Sequence, residues 1–387
     1  MKKKWKPNFL AFLVVILIFL HTFVNYWFYY MGYSFENTFG TRLKLARKMA
    51  GMSQQDLADA LEQSITKQAL SKYELGEMMP TGEMLLAVSK ALKQKPDFFV
   101  KQKNLELGRV DFRKRTKLSL KQEESIIERV RDFVERYLEL EEILQVKNPF
   151  ENPLKNVKIT QKNELNKAAQ ALRESWNLGD DPIPNISEML EMRGIKVVII
   201  EADEAFDGLA TTTESGIPII VVNKNGISIE RLRFTIVHEL AHTLLNLEIL
   251  GDNEKLIEEW CHYFSSCFII PDNMVYKLLG SKIRNYLYIN ELEKIKSYFG
   301  ISIRALVHRF KTMGIITPTY YIKWNVYLSK TYGGIKEPGE YKGEENALGF
   351  EMLISRALSE GIISISKAAA LCNTDINQLR KKYVSIA

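Results

Sequence analysis

Cysteine is scarce in these 387 residues: only Cys261, Cys267 and Cys372 occur, far too scattered for a disulfide framework. A reducing compartment, the cytoplasm, is the natural reading. Histidine is nearly as rare, five in all, yet two of the five fall four residues apart in RFTIVHELAHTLLN, residues 233–246. A large excess of one charge is also missing. The formal net charge is +6, and Lys2, Lys3, Lys4 and Lys6 supply four of those charges at the N-terminal end. Residues 31–103 hold 11 Lys+Arg against 8 Asp+Glu, a difference of +3, and a basic cluster follows at Arg109, Arg113, Lys114, Arg115 and Lys117. That excess permits nucleic-acid contact without establishing it.

What the chain does have is length and 46% hydrophobic residues, enough for two or three domains with cores of their own and too much for a disordered chain. One apolar run, FLAFLVVILIFLHTFVNYWFYY at 9–30, is long enough to span a bilayer and reads alone as a signal anchor. The lysines before it favour a cytoplasmic N-terminus, which would export everything downstream. Two resolutions are open. Met31 is the true start and 1–30 a leader extension, or the helix inserts the other way, aided by Arg42, Lys44, Arg47 and Lys48, and anchors a cytoplasmic remainder to the membrane. A cleaved signal peptide fits worst, because the run is too long and lacks a small-residue cleavage site.

Residues 38–103 read as a succession of short helices. TFGTRLKLARKMAG ends at Gly51; Ser53 caps SQQDLADALEQ with Asp56 in a capping-box position; Thr66 caps TKQALSKYELG; Pro80 and Thr81 open PTGEMLLAVSKAL. A short helix, a tight turn and a helix with polar N-terminal residues form the helix-turn-helix pattern. The stretches RLKLARKMAGMSQQDLADAL, ITKQALSKYELG and LLAVSKALKQKPDFF together resemble the XRE family of helix-turn-helix regulators over about 65 residues. The resemblance implies binding to a double-stranded DNA operator, with the third helix in the major groove. Lys67, Gln68, Ser71 and Lys72 would then face base edges or phosphates and Gln54 would hold phosphate. About two extra residues at EQSIT set this chain apart from common members.

A connector follows at 109–147. In SLKQEESIIERVRDFVERYLELEEILQ, Ser119 and Gln122 form a second capping box, and Ile126, Val130, Phe133, Tyr137, Leu140 and Leu144 step by three and four. Such a stripe predicts one helix of roughly 40 Å. It pairs with its twin in a homodimer suited to a palindromic operator, or it packs on the next domain; the pattern does not choose. Pro149 and Pro153 then mark a boundary.

Residues 155–315 read as an α+β domain. Helices at ELNKAAQALRESWNLG and NISEMLEMRG precede two strands, IKVVIIEA and IPIIVVNKN, separated by a turn region at FDGLAT. In the next helix Phe234, Val237, Ala241 and Leu245 form the expected buried face, and His238 and His242, one turn apart, point together toward one Zn2+. Glu239, beside the first histidine, is placed as the general base of a metallopeptidase. The metzincin class is excluded, because its Gly and third His would fall at Leu245 and Glu248. A carboxylate from EKLIEEWCHYFSSCFIIP is the gluzincin-like alternative. With Ile257, Cys261, Phe264 and Phe268 as its buried stripe, Glu258 lies about 100° from Ile257, at the stripe's edge, and Glu259 about 200° away, toward solvent. Glu258 is therefore the better third ligand. His262 falls on the same side as a hydrogen-bonding partner for Glu258, with ligation by His262 or Cys261 as rivals.

RFTIVHELAHTLL, EEWCHYFSSCFIIP, FDGLA and IVVN together resemble the ImmA/IrrE family of metallopeptidases over roughly 160–310; His262 stands where Asn or Asp is usual and Ser265 where Ala is usual. The order of modules resembles bacterial and mobile-element regulators in which the peptidase cleaves an XRE-type repressor, and implies such a protein substrate. The alternative is a non-catalytic, antitoxin-like regulator whose zinc is structural or sensory. A third reading, a membrane-anchored protease, needs residues 9–30 to be a real anchor. Residues 345–387 read as a small helical region, two amphipathic helices joined at Gly361. The expected fold class is thus mainly α: a four- or five-helix helix-turn-helix domain, a long helical connector, a zincin-like α+β domain and a small helical C-terminal region.

Overall fold

The computed structural model describes residues 38–62, 65–101, 105–108, 118–333 and 336–383. The apolar run at 9–30, the basic cluster at 109–117 and part of EQSIT lie outside these residues. Among the described residues no helix is long and apolar enough to cross a membrane. The chain divides into two compact units. The first takes the described residues before Leu105 with Ser119–Arg129 and Cys372–Asp375; the second takes Leu105–Leu118, Val130–Leu371 and the residues from Ile376.

In the first unit the described part of α1 spans 38–49, followed by α2 (Gln54–Ala60), α3 (Lys67–Glu74), α4 (Gly82–Ala91) and a 3-10 turn at Pro96–Val100. The caps form as their residue types dictate. Ser53 and Asp56 complete a reciprocal capping box on α2, and Thr66 and Thr81 accept the amides of Ala69 and Met84, each at 3.2 Å. Phe39, Leu43, Leu57, Leu70, Val88 and Phe99 fill the core. At Gly40 a Cβ would stand 2.3 Å from the Tyr73 carbonyl oxygen, so only glycine lets α1 approach the end of α3 this closely.

The second unit is built round a three-stranded sheet ordered β1-β3-β2, with β1 (Lys196–Ile200) parallel and β2 (Gly208–Thr212) antiparallel to the central β3 (Pro218–Asn223). α6 (Glu164–Ser175) and α7 (Ile186–Glu191) precede the sheet, and α8 (Ile229–Leu244) and α9 (Glu254–Ile269) follow it. Then come α10 (Asp272–Leu279), α11 (Ile289–Phe299), α12 (Ile303–Thr312) and α13 (Pro318–Tyr332). β3 is buried at all six positions, Asn223 included, as the apolar run before that asparagine predicts for the rest. This is the mainly helical chain with a small mixed layer that the patterning predicts.

Several local expectations change. FDGLAT is not only a turn: Gly208–Thr212 forms the edge strand β2, which has too few apolar residues to show alternation. Phe234 packs against the core only in part, half-buried where it also lines the cleft described below. Because α8 lies between the sheet and α9, two of its faces are buried, carrying Leu232, Ile236 and Leu240 as well as Val237, Ala241 and Leu244. The tail forms α14 (Gly349–Ser359) and, past Gly361, a short helix pair, α15 (Ile365–Leu371) and α16 (Ile376–Lys382). The connector forms α5 (Leu120–Ile143), whose apolar stripe is covered within the chain. Phe350 stacks 5.3 Å from Phe133 and 5.5 Å from Tyr137, and Lys196 Nζ sits 4.1 Å above the Tyr137 ring.

One buried ion pair joins four segments of the second unit. Arg233, on the first turns of α8, donates to Glu345 Oε2 at 2.7 Å and to the carbonyls of Ile183, Pro184 and Gly300 at 2.6, 3.1 and 3.2 Å. Glu345 in turn accepts the first amides of α7, Ile186 and Ser187, at 3.2 and 2.6 Å. Gly300 adopts φ +63°, and a Cβ there would lie 2.5 Å from Arg233 Nε. Removing one partner strands a buried charge, so Arg233→Met and Glu345→Ala are each expected to lower unfolding free energy by about 3–5 kcal/mol. Urea denaturation of the full chain checks this; a loss within the usual surface range of about 0.5 kcal/mol would show the pair to be dispensable.

A second buried acid makes stability depend on pH. Burial pushes the Glu191 carboxyl up to about 7, opposed by the Gly349 amide at 2.8 Å, the Lys196 charge and the Tyr137 hydroxyl. Its folded value exceeds the ordinary 4.5, so folding takes up a proton. The contribution is full below pH 4.5 and fades as pH rises through about 7. Replacing Glu191 by Gln is expected to flatten the decline of the urea midpoint across that window; an unchanged slope would assign the decline to other groups.

Candidate metal centre

α8 packs on the sheet and α9 on α8, and each is started by a side-chain cap: Ser228 Oγ accepts the Arg231 amide at 3.3 Å, and Asn253 Oδ1 the Leu256 amide at 3.2 Å. Helical spacing carries His238 and His242 to one side of α8, one turn apart. Their Nε2 atoms lie 3.2 Å from each other. Glu258, on α9, brings Oε2 to 3.3 Å from His238 Nε2 and Oε1 to 3.4 Å from His242 Nε2. Among the described residues this is the one group of His, Cys, Asp and Glu whose ligand atoms converge.

The dimensions fit a cation. A tetrahedral metal bound at about 2.0–2.2 Å separates its nitrogen and oxygen ligands by about 3.3–3.6 Å, close to the 3.2 Å between the two Nε2 atoms and to the 3.3 and 3.4 Å from each to its nearer Glu258 oxygen. A proton can bridge only one pair of the three lone pairs, whereas a metal ion satisfies them together. Two imidazoles and a carboxylate are a borderline-soft donor set suited to a divalent transition metal. His238 and Glu258 are buried, with side chains only 8% and 11% exposed, so burial of this acid beside two imidazoles is costly without such a compensating charge.

The neighbours orient the triangle. Cys261 Sγ approaches His242 Nδ1 to 3.5 Å, so the thiol packs behind the imidazole and not among the converging atoms. His262 lays its ring against that of His238, centroids 4.4 Å apart, and against Phe234 at 5.8 Å. Glu259 points away to Lys162 at 2.5 Å. His308, on α12, packs edge-on to Tyr321, and burial holds its pKa below the ordinary histidine value.

Glu239 is buried at the foot of the cleft that opens beside the triangle. A Cβ on Gly208 would stand 3.3 Å from Glu239 Cγ, 3.2 Å from Thr235 Cγ2 and 2.8 Å from the Val221 carbonyl, so the start of β2 runs directly along Glu239. The cleft, about 1280 Å³, is lined by His238, Glu239, Glu258 and His262, and farther out by Lys296, Arg304 and Tyr341. Its outer wall comes from a strap at 336–345. Glu337 there accepts the Ile303 and Arg304 amides at 2.7 and 3.0 Å, and Tyr341 donates its amide to Glu230 at 3.1 Å. Gly208 and this strap were missed in the sequence, where neither carries a metal-ligand or nucleophile pattern; FDGLA alone pointed to the first.

In the first unit, Lys67, Gln68 and Lys72 are exposed on α3 and Ser71 is half-buried. The Gln54 amide donates to Glu74 Oε2 at 2.9 Å, and Arg47 holds the same carboxylate through two bonds of 2.5 and 2.9 Å. Gln54 and Arg47 thereby tie α2 and α1 to the end of α3.

Comparison with known proteins agrees with this division. Residues 43–99 match the helix-turn-helix family, and residues 190–311 match the IrrE N-terminal-like domain, which carries the metal triangle and Glu239. The SPbeta prophage-derived uncharacterized HTH-type transcriptional regulator YonR of Bacillus subtilis is 43% identical over 63 residues. The match takes in 16% of this chain and 56% of that protein, so the chain spans about half the length of this curated relative. The apo form of the competence regulator ComR from Streptococcus vestibularis aligns over 91% of this chain and 94% of its own at 12% identity, with a TM-score of 0.16, at which the likeness carries no argument. The chain therefore joins an XRE-type helix-turn-helix domain to an IrrE/ImmA-like domain of the M78 peptidase family.

Proposed function

We propose that the chain is a DNA-binding transcription regulator whose second unit is a zinc-dependent peptidase acting on a repressor or partner protein. The observation that carries this reading is the triangle of His238, His242 and Glu258 with Glu239 buried next to it on the same helix. A metal held only for structure has no use for a carboxylate base beside its ligands.

Zinc bound there supplies a Lewis acid that polarises a peptide carbonyl and acidifies water. Glu239, one residue from His238 and set against β2, takes the proton of the attacking water and returns it to the departing amine, so that one water is consumed per peptide bond cut. The edge strand and the long cleft suit an extended polypeptide rather than a small molecule. Glu258 holds its two oxygens toward different imidazoles and fixes the angle between α8 and α9. An XRE-type repressor is the protein substrate that the pairing of domains favours. For the first unit, Lys67, Gln68, Ser71 and Lys72 on α3 read an operator in double-stranded DNA, while Gln54 and Arg47 set the helix through Glu74.

Glu239→Gln is expected to keep zinc and lose about 10²–10⁴-fold in cleavage of a co-expressed XRE-type repressor, whereas Glu258→Gln loses zinc itself in chelator competition. Equal processing by native protein and Glu239→Gln would leave the non-catalytic regulator as the reading. For the operator, Gln68→Ala should cost about 1–3 kcal/mol at one base position and relax specificity there. Quantitative binding to a randomised-site library reads this, and an unchanged base preference would remove Gln68 from the contact surface.

A further inference from the structure

The edge of β2 that faces away from β3 is paired over part of its length, and Gly208, at the start of the same strand, lies against Glu239. Gly108 donates its amide to the Thr212 carbonyl at 2.7 Å, Glu214 donates to the Glu106 carbonyl at 3.4 Å, and Leu107 bridges antiparallel to Thr213. Leu105–Gly108 belongs to the second unit although it follows the helix-turn-helix unit in sequence. It is the only described stretch between Lys101 and Leu118.

Alternation along β2 extends this pairing toward the metal triangle. Thr213 donates to Ile217 and Asp207 accepts from Asn223, so odd-numbered residues bond to β3. Even-numbered residues therefore turn their amides and carbonyls to the other edge. Thr212 and Glu214 use theirs on Leu105–Gly108; Ala210 and Gly208 come next on that edge. A polypeptide running in the direction of Leu105–Gly108, antiparallel to β2, passes Ala210 and then Gly208, where the Glu239 side chain lies. Such edges recruit extended chains through their main-chain groups, whatever the side chains.

We infer that Leu105–Gly108 occupies in cis the far end of the edge along which an extended peptide would dock beside the metal centre. This segment of the chain thus competes with an incoming polypeptide for the Thr212 and Glu214 main-chain groups. The inference rests on the peptidase reading for the purpose of the edge, but the competition itself is a binding property. Gly108 is suited to the role: a Cβ there would stand 2.9 Å from Thr212 Oγ1 and 3.2 Å from the Thr212 carbonyl oxygen, so any larger residue loosens the pairing. Covalent attachment gives the segment an effective concentration near millimolar, which a free peptide must overcome.

The test uses the full chain, zinc-loaded and carrying Glu239→Gln so that a peptide binds without being cut. The probe is a fluorescein-labelled peptide with the sequence of residues 101–112. Adding Gly108→Pro removes the donor to Thr212, and Gly108→Val, which keeps the amide, crowds it. Both variants are expected to bind the probe about five- to thirty-fold more tightly than the parent, the worth of one or two net hydrogen bonds. The Glu214 amide should exchange with deuterium faster by a similar factor in both. Equal probe affinity in all three proteins, or Glu214 exchange that is the same in all three, would overturn the inference. Because neither readout requires turnover, a protein that fails to cut a repressor yet shows these shifts would refute the peptidase reading and leave the edge competition standing.

Discussion

The guanidinium of Arg233 is the point on which the second unit depends. It sits on α8 five residues ahead of His238, wholly enclosed, and its bonds reach the loop before α7, the end of α11 and the strap through Glu345. Each nitrogen of Arg233 finds an oxygen, and that network fixes the helix that presents both imidazoles. Burial alone would let α8 slide or rotate between the sheet and α9, since apolar contacts are not directional. The ionic knot supplies the direction.

Two further enclosed arginines tie helices of the same unit, Arg309 less completely, since its Nε has no hydrogen-bond partner among the described residues. Arg309, at the other end of the helical layer, bonds Cys267 Sγ at 2.8 Å and pairs with Asp272, tying α12 to the end of α9 and the start of α10. Arg173 donates to the Phe268 carbonyl at 2.7 Å and holds α6 on α9. Three enclosed arginines thus brace the two helices that carry the metal ligands. The triangle at 3.2–3.4 Å needs such bracing, because ligand atoms of like partial charge repel unless held for an ion.

Much of the site was legible in the residues themselves. The four-residue spacing of the histidines, the glutamate between them and the helical phase that preferred Glu258 over Glu259 are local properties of two helices, and periodicity reports those well. The capping residues Ser53, Thr66, Thr81 and Ser119 were readable for the same reason, since each acts within four residues of itself. What escaped was held by distant partners. β2 carries only Gly-Leu-Ala-Thr-Thr, which becomes a strand because β3 lies beside it. Phe234 fits the apolar stripe of α8 by spacing but is only half-buried and also lines the cleft, because a helix enclosed on two sides no longer reveals its core face by period.

The sequence by itself therefore determined the composition of the two modules, the helix that bears the paired histidines and the choice of carboxylate on the next one. These rest on short-range geometry: 3.6 residues per turn and a cap at each helix start. Only the tertiary structure decided that the three ligand atoms meet within one triangle, that the strap at 336–345 walls the cleft, and that Leu105–Gly108 pairs with the edge of β2. Those arrangements join residues tens to more than a hundred positions apart, where hydrogen-bond donors must find acceptors during packing and no periodicity announces which ones they will be.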